Sequence, residues 1–205
     1  MDTSMVDQLK RRWPEDWTKL HVYFVPDPTE IKPLADAYRD VIEDLDCVAR
    51  QPDEWLHSTV MVIDDIPARD VTAEQRAELA NRLQQTLAEL PAFTLSAGPA
   101  IAGRSTIALD LVPDRDFRNL VDRVRSAAAG VFGEDKVQYS NGRPHITLAY
   151  ATGDGDSGVI AGRLRGATDL RATLTVDTVR LVDVLVDADL FQFRWEELAV
   201  IPLRG

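Results

Sequence analysis

The chain contains a single cysteine, Cys47, among its 205 residues. One thiol cannot form an intramolecular disulfide, and no Cys-x-x-Cys pair is present to bind zinc or to carry out redox chemistry. With 45% hydrophobic residues, a chain of this length buries a substantial core without cross-links. We therefore expect a protein that folds in a reducing compartment, the cytoplasm.

Long apolar runs are also missing. Residues 1–17 (MDTSMVDQLKRRWPEDW) mix charged and apolar side chains and lack the apolar core of a signal peptide. No later window approaches the roughly 18 uninterrupted apolar residues of a membrane span. These absences predict a soluble protein with no membrane partner.

Basic residues are few relative to acidic ones. The 23 Lys and Arg residues face 34 Asp and Glu residues, which gives a formal net charge of −11. Because nonspecific affinity for nucleic acids comes from many Lys and Arg contacts with phosphates, we do not expect long duplex nucleic acid as a partner. Two or three cations in a cleft can still bind a single phosphate or an RNA end.

The pattern of apolar residues predicts mixed helices and strands. Strands are predicted at 20–25, 55–63, within 93–114 as a hairpin, at 143–150, 172–187 and 191–203; helices are predicted at 34–45, 72–90, 116–131 and, as a helix or turn, 159–167. No linker rich in Pro, Gly or Ser divides the chain. This order predicts an α+β fold of two lobes, one domain over residues 1–205 with an N-terminal extension over residues 1–19.

Two of the three histidines stand in the same local context. His57 and His145 are each followed by one residue, a threonine (Thr59 or Thr147) and an aliphatic residue, inside an apolar run. Because side chains alternate along a strand, each histidine shares a face with its threonine. If the two lobes face each other across a groove, the four groups converge.

Two imidazoles and two hydroxyls suit the cleavage of a phosphodiester. A neutral imidazole accepts a proton, an imidazolium donates one to the leaving oxygen, and the hydroxyls bind the phosphate oxygens. Two other interpretations stay open. Each histidine could be a core residue bonded to a nearby hydroxyl, or the two histidines could bind zinc with Asp64 or Asp65, although these aspartates lie beyond the end of the predicted strand.

The segments HSTV and HITL resemble the two HxTx signatures of the 2H phosphoesterase superfamily, in its LigT-like or 2′-5′ RNA ligase-like branch. The likeness runs from about Leu20 to Leu203. It implies a bilobal fold with pseudo-two-fold symmetry, in which two antiparallel-rich sheets with outer helices surround a central groove. Carried over by motif, His57 and His145 are the expected catalytic residues.

The resemblance also implies a function. Thr59 and Thr147 are the expected substrate-binding threonines, and no metal or cofactor is expected. The implied activity is that of a metal-independent cyclic phosphodiesterase acting on 2′,3′-cyclic phosphates or 2′-5′ linkages, in RNA ends or small nucleotides. The alternatives are a nucleotide- or RNA-end-binding module without turnover, and a 2′-5′ RNA ligase. The acidic composition disfavours a long RNA, and a monomer is expected.

Two further residues are candidates for substrate binding. Alternation places Trp55 on the face of His57, where its ring could stack on a base, and core packing is the alternative. Arg143 shares the face of His145 across Pro144 and could bind a phosphate; the alternative is a solvated surface arginine.

Two residues near the motifs are expected to pack rather than to bind substrate. Alternation turns Tyr150 away from Thr147, into the core. His21, in the first strand, could line the groove, but packing is favoured.

Overall fold

The computed structural model describes residues 17–139 and 142–205. Within this part, the strands are β1 Thr18–Phe24, β2 Val48–Arg50, β3 Ser58–Val62, β4 Phe93–Ala102, β5 Thr106–Val112, β6 His145–Ala151, β7 Ala172–Val176, β8 Thr178–Asp187 and β9 Gln192–Pro202. The helices are α1 Pro28–Asp40, α2 Ala73–Leu87, α3 Asp114–Phe132 and α4 Ser157–Ala167. The predicted α+β class is confirmed.

The described strands form two sheets, and all of their pairings are antiparallel. The first sheet has the order β3-β1-β8-β9, and the second has the order β2-β6-β5-β4-β7. In the first sheet the motif strand β3 pairs with β1, and in the second sheet the motif strand β6 pairs with β5. In both cases a helix lies between the two paired strands in the sequence. The two motifs therefore occupy corresponding places in the two sheets.

The helices cover the outer faces of the sheets. Helices α2 and α3 pack against each other and against β9 and β3 of the first sheet, whereas α4 and α1 pack against β4 and β7 of the second. Local sequence explains where the helices begin. Thr72 and Gln75 form a reciprocal capping box at α2, and Asp27 caps α1, which starts with Pro28.

The sheets meet at their motif strands. Strands β3 and β6 contact each other across the space between the lobes, so the inner faces of the two sheets enclose a groove while their outer faces are buried under helices. Leu79 and Leu83 of α2 and Leu120 and Val124 of α3 are completely buried in this outer core. Burial of such apolar surface is the main stabilising contribution to the fold.

Several predicted boundaries are wrong. Helix α1 begins at Pro28 rather than residue 34, because Asp27 caps it and proline is accepted in a first helical turn. The strand predicted at 172–187 is two strands, β7 and β8, and the short β2 was not predicted. β1 begins at Thr18, and residues 1–16 of the predicted extension lie outside the described residues.

Candidate active site

The groove between the sheets contains a cavity of about 270 Å³. His57, Thr59, His145 and Thr147 all line it. The structure thus brings together, from two different sheets, the four side chains that the repeated motif singled out.

The two motif histidines are anchored in the same way. The Nδ1 atom of His57 lies 2.9 Å from the carbonyl oxygen of Trp55, and Nδ1 of His145 lies 2.9 Å from the carbonyl oxygen of Arg143. A carbonyl oxygen only accepts hydrogen bonds, so Nδ1 carries a proton in both rings. The atom left to gain or lose a proton is Nε2 in each case.

Each motif strand contains a β-bulge directly after its threonine. In the β1–β3 pairing, Val22 lies opposite Met61 and Tyr23 opposite Thr59, so the register passes over Val60. In the β5–β6 pairing, Leu148 is passed over in the same way. An extra residue reverses the alternation of faces beyond it.

These bulges correct the prediction for Tyr150. Strict alternation turned its side chain away from Thr147, but the bulge at Leu148 returns it to the groove face. Tyr150 lines the cavity and its hydroxyl is hydrogen-bonded to Thr147. In the other sheet Val62, three residues after Thr59, lines the cavity at the corresponding position.

Aromatic rings surround His57. Its ring stacks on Tyr23 with centroids 4.0 Å apart, meets Trp195 edge-on at 5.2 Å, and lies 6.2 Å from Phe193. Burial lowers the pKa of His57 to about 4, assisted by nearby His145 and opposed by the Trp55 carbonyl. His57 is therefore neutral at pH 7, with an unprotonated Nε2.

His145 has different surroundings. It is the first residue of β6, is exposed, and lies opposite Asp110 in the β5–β6 register. Water therefore solvates its ring directly. The two imidazoles share one cavity and one anchoring geometry but differ in solvation.

Each motif threonine is hydrogen-bonded to a tyrosine hydroxyl. Thr59 bonds to Tyr139, which precedes the second motif, and Thr147 bonds to Tyr150. Burial raises the pKa of both tyrosines, and the charge of Asp64 adds to this effect at Tyr139. Both phenols therefore remain neutral near pH 7, and two neutral hydroxyl pairs face the cavity.

His21 is buried, as the favoured packing interpretation predicts, and it also lines the cavity, which is the alternative position. Its ring stacks on Tyr23 with centroids 5.1 Å apart. Burial lowers the pKa of His21 well below its usual value, and the neighbouring His57 and Lys19 add to the effect. The ring is neutral at pH 7.

The structure places the other two predicted substrate-binding residues outside the cavity lining. Trp55 lies in the short 3-10 turn Asp53–Trp55 rather than on a strand, so alternation does not apply to it, and its ring packs against Trp195 at 4.8 Å. The guanidinium of Arg143 is paired with Asp110 at 3.0 Å. Each contributes to the site the backbone carbonyl that holds a motif histidine.

Sequence reasoning did not assign several cavity residues to the site. Lys19, Tyr139 and Phe193 line the cavity, and so does Asp64, which the sequence indicates only as a possible metal ligand. Alternation from His21 reaches Lys19 on the same face of β1 and would have identified it.

Within the described ranges, no group of three or more His, Cys, Asp or Glu residues is placed to hold a metal ion. In the same ranges, no helix is long and apolar enough to span a membrane.

Comparison with solved structures identifies the class of fold. E. coli LigT complexed with NADP+ aligns with a TM-score of 0.65 at 19% identity, over 92% of this chain and 99% of that one. TT0787 of Thermus thermophilus aligns with a TM-score of 0.69 at 14% identity, over 91% and 98%. The fold is LigT-like, as the motifs predicted.

The family follows from the sequence. A model of the 2′-5′ RNA ligase superfamily matches residues 26–188, which include both motifs. The chain therefore belongs to the 2′-5′ RNA ligase superfamily, in agreement with the predicted 2H phosphoesterase, LigT-like membership. A search of curated proteins found no match.

Proposed function

We propose that this protein is a metal-independent cyclic phosphodiesterase that hydrolyses a 2′,3′-cyclic phosphate or a related phosphodiester. The observation that carries the proposal is the shared cavity. Two imidazoles with Nδ1 fixed on a backbone carbonyl and two threonine hydroxyls line the same small space. Structures of E. coli LigT complexed with 3′-AMP and with phosphate support a substrate of nucleotide size.

His57 is the general base in this proposal. Its pKa of about 4 keeps it neutral at pH 7, so Nε2 accepts a proton from water as the water oxygen attacks phosphorus. The Nδ1–H bond to Trp55 persists in both protonation states, which holds the ring in place while its charge changes.

His145 is the general acid. As the bond between phosphorus and one ribose oxygen breaks, the imidazolium donates the proton on Nε2 to that oxygen, giving a phosphomonoester. The exposure of His145 supports this role, because water reaches the ring directly and can return a proton to it after each turnover. The difference in solvation between the two rings supports this direction of the proton transfers.

Thr59 and Thr147 bind the non-bridging phosphate oxygens. Hydroxyl donors aimed at the developing charge stabilise the transition state more than the ground state. Tyr139 and Tyr150, as neutral phenols bonded to these threonines, hold the hydroxyls in position. The two threonines are therefore neutral donors to the phosphate, and in this proposal the imidazolium of His145 is the cation of the site.

A substrate panel assayed in the presence of a chelator tests the proposal. The four nucleoside 2′,3′-cyclic phosphates, 2′-5′ dinucleotides and ADP-ribose cyclic phosphate are incubated with the protein and EDTA, and products are separated by ion-exchange chromatography. Hydrolysis of a cyclic phosphate is the expected result. Binding by calorimetry without turnover of any compound would instead favour a nucleotide- or RNA-end-binding module.

Ligation is the second candidate, favoured by the match to the 2′-5′ RNA ligase superfamily. Joining a 2′,3′-cyclic phosphate end to a 5′-hydroxyl uses the same acid and base, with a hydroxyl in place of water. Product analysis with RNA fragments bearing these two ends distinguishes the reactions. A 2′-5′ linked product would indicate ligase activity, and a phosphomonoester end would indicate hydrolysis.

A further inference from the structure

One end of the cavity holds an ion pair that the proposed chemistry does not use. The ammonium of Lys19, in β1, lies 3.5 Å from the carboxylate of Asp64, which follows β3. The Lys19 side chain is only 6% exposed, whereas that of Asp64 is 34% exposed. The accessible group at this end is therefore an acceptor, and the covered ammonium neutralises it and fixes its position.

The strand register places this pair away from the phosphate site. Tyr23 lies opposite Thr59, His21 lies opposite Val62, and Lys19 follows on the same face of β1. Tyr23 and Lys19 are four positions apart on β1, which is about 13 Å along the strand. The cavity that contains the threonines also reaches Lys19 and Asp64, so it offers space at this end for the base of a mononucleotide whose phosphate lies at the threonines.

The charges at this end disfavour a second phosphate. Lys19 is paired with Asp64, and His21 between them and the threonines is neutral because its pKa is well below the usual value. The accessible carboxylate repels an anion and accepts hydrogen bonds from N–H groups. The cavity therefore suits a ligand with a phosphate at one end and N–H donors at the other.

We propose that Asp64, held by Lys19, is a subsite for the Watson–Crick edge of a nucleobase that carries N–H donors, with guanine preferred. The inference rests on the proposed function, because it takes the phosphate to lie at Thr59 and Thr147. Guanine presents N1–H and N2–H to both carboxylate oxygens, whereas uracil presents one N–H between two carbonyl oxygens that the carboxylate repels. Hydrogen bonds to charged groups are the strong ones in such recognition.

Kinetics on substrates with and without a base test this subsite. The kcat/KM of the protein is measured on guanosine and uridine 2′,3′-cyclic phosphates and on 1-O-methylribose 2′,3′-cyclic phosphate, which has no base. We expect guanosine to exceed uridine by about tenfold or more. Asp64→Asn is expected to lower kcat/KM on the guanosine substrate by about tenfold through KM, and to change it on the base-free substrate by less than about twofold.

A second variant separates recognition from folding. Lys19→Met with Asp64→Leu removes both charges together, which avoids an unpaired buried ammonium and is expected to preserve the fold. It should show the same selective loss on the guanosine substrate. Asp44→Asn, at the exposed pair between Asp44 and Arg163, is the matched control and should leave all three substrates unaffected.

These experiments distinguish failure of the base subsite from failure of the proposed phosphodiesterase activity. Equal losses on the three substrates, no loss on any, or a wild-type preference for uridine would overturn the subsite while leaving the phosphodiesterase intact. If no substrate is turned over, calorimetry is used to compare the affinities of the protein for 3′-GMP and 3′-UMP, which tests the subsite without turnover. Tighter binding of 3′-GMP, weakened about tenfold by Asp64→Asn, supports the subsite, and equal affinities overturn it.

Discussion

The two copies of the histidine motif have the same local geometry and different surroundings. In both, the ring is held through Nδ1 by the carbonyl two residues earlier, and a bulge follows the threonine. His57, however, is half-buried against Tyr23 and Trp195, whereas His145 is exposed at the start of its strand. The comparison indicates that the two rings share one backbone anchor and that packing gives them different solvation, which is the basis for the proton-transfer roles proposed above.

The difference arises from residues far from either motif in sequence. Tyr23 comes from β1, and Phe193 and Trp195 come from β9, and all three lie against His57. β9 reaches this position because it pairs with β8, which pairs with β1 beside β3. The two histidines thus acquire different surroundings although the His-x-Thr pattern around them is the same.

The largest expected effect comes from removing either imidazole. His57→Ala and His145→Ala should each lower kcat/KM on the best cyclic phosphate by about 10²- to 10⁴-fold, because each removes one partner of the acid–base pair. Steady-state assays provide the measurement, and thermal unfolding by circular dichroism confirms that the variants are folded. Wild-type activity in both variants would refute the two-histidine mechanism.

The pH dependence of stability sharpens the contrast between the two rings. The folded-state pKa of His57 is about 4, below its usual 6.5, so between these values the unfolded chain binds a proton that the folded protein does not. Stability is therefore lost as pH falls from 6.5 to 4, by roughly 3 kcal/mol from this group. Urea unfolding at several pH values should show a smaller loss in His57→Gln.

A direct titration checks the same claim. In a two-dimensional NMR spectrum the ring protons of His57 should titrate with a midpoint near pH 4. His21, whose pKa is also lowered, contributes to stability in the same direction, and because His57 helps to lower the pKa of His21, the difference in stability between the wild type and His57→Gln reports on both rings. A midpoint for His57 near 6.5 would contradict its assignment as a desolvated base.

Much of this site could be predicted from the sequence because its signals are local. The repeated His-x-Thr within apolar runs identified His57, Thr59, His145 and Thr147, and the structure places all four in one cavity. The α+β class followed from apolar periodicity, which depends only on neighbouring residues. The convergence of the four side chains in one cavity, in contrast, required the two lobes to face each other, which the local pattern does not encode.

The rest of the site depends on features that periodicity does not encode. The bulge at Leu148 turned Tyr150 to the face opposite the predicted one, and the turn at Asp53–Trp55 removed Trp55 from the strand. Lys19 and Asp64 meet only through the pairing of β1 with β3. Register and bulges are set by tertiary packing, so alternation alone misplaces residues beyond them.

A smaller effect is expected from the threonines. Thr59→Val and Thr147→Val keep the shape of the side chain and remove the hydroxyl, so each should lower kcat/KM by about 10- to 100-fold through loss of a donor to the phosphate. Thr59→Ser and Thr147→Ser, which retain the hydroxyl, are the matched controls and should keep most of the activity. If the valine variants matched the serine variants, the hydroxyls would have no role in catalysis.

The smallest effect is expected from the tyrosines that bond to the threonines. Tyr139→Phe and Tyr150→Phe keep the rings but leave each threonine without its phenolic partner, which costs about 0.5–1.5 kcal/mol and should lower kcat by roughly two- to tenfold. Tyr38→Phe is the matched control, because its buried hydroxyl in α1 makes no hydrogen bond within the described residues. It should leave kcat unchanged.

A double-variant comparison then tests whether each tyrosine acts through its own threonine. Adding Tyr139→Phe to Thr59→Val should have little further effect, because the hydroxyl that the phenol positions is already gone. Adding Tyr139→Phe to Thr147→Val should multiply the two losses, since these groups belong to different halves of the site. Equal behaviour in both combinations would show that the tyrosines act on the cavity as a whole, and that the two halves do not position their threonines independently.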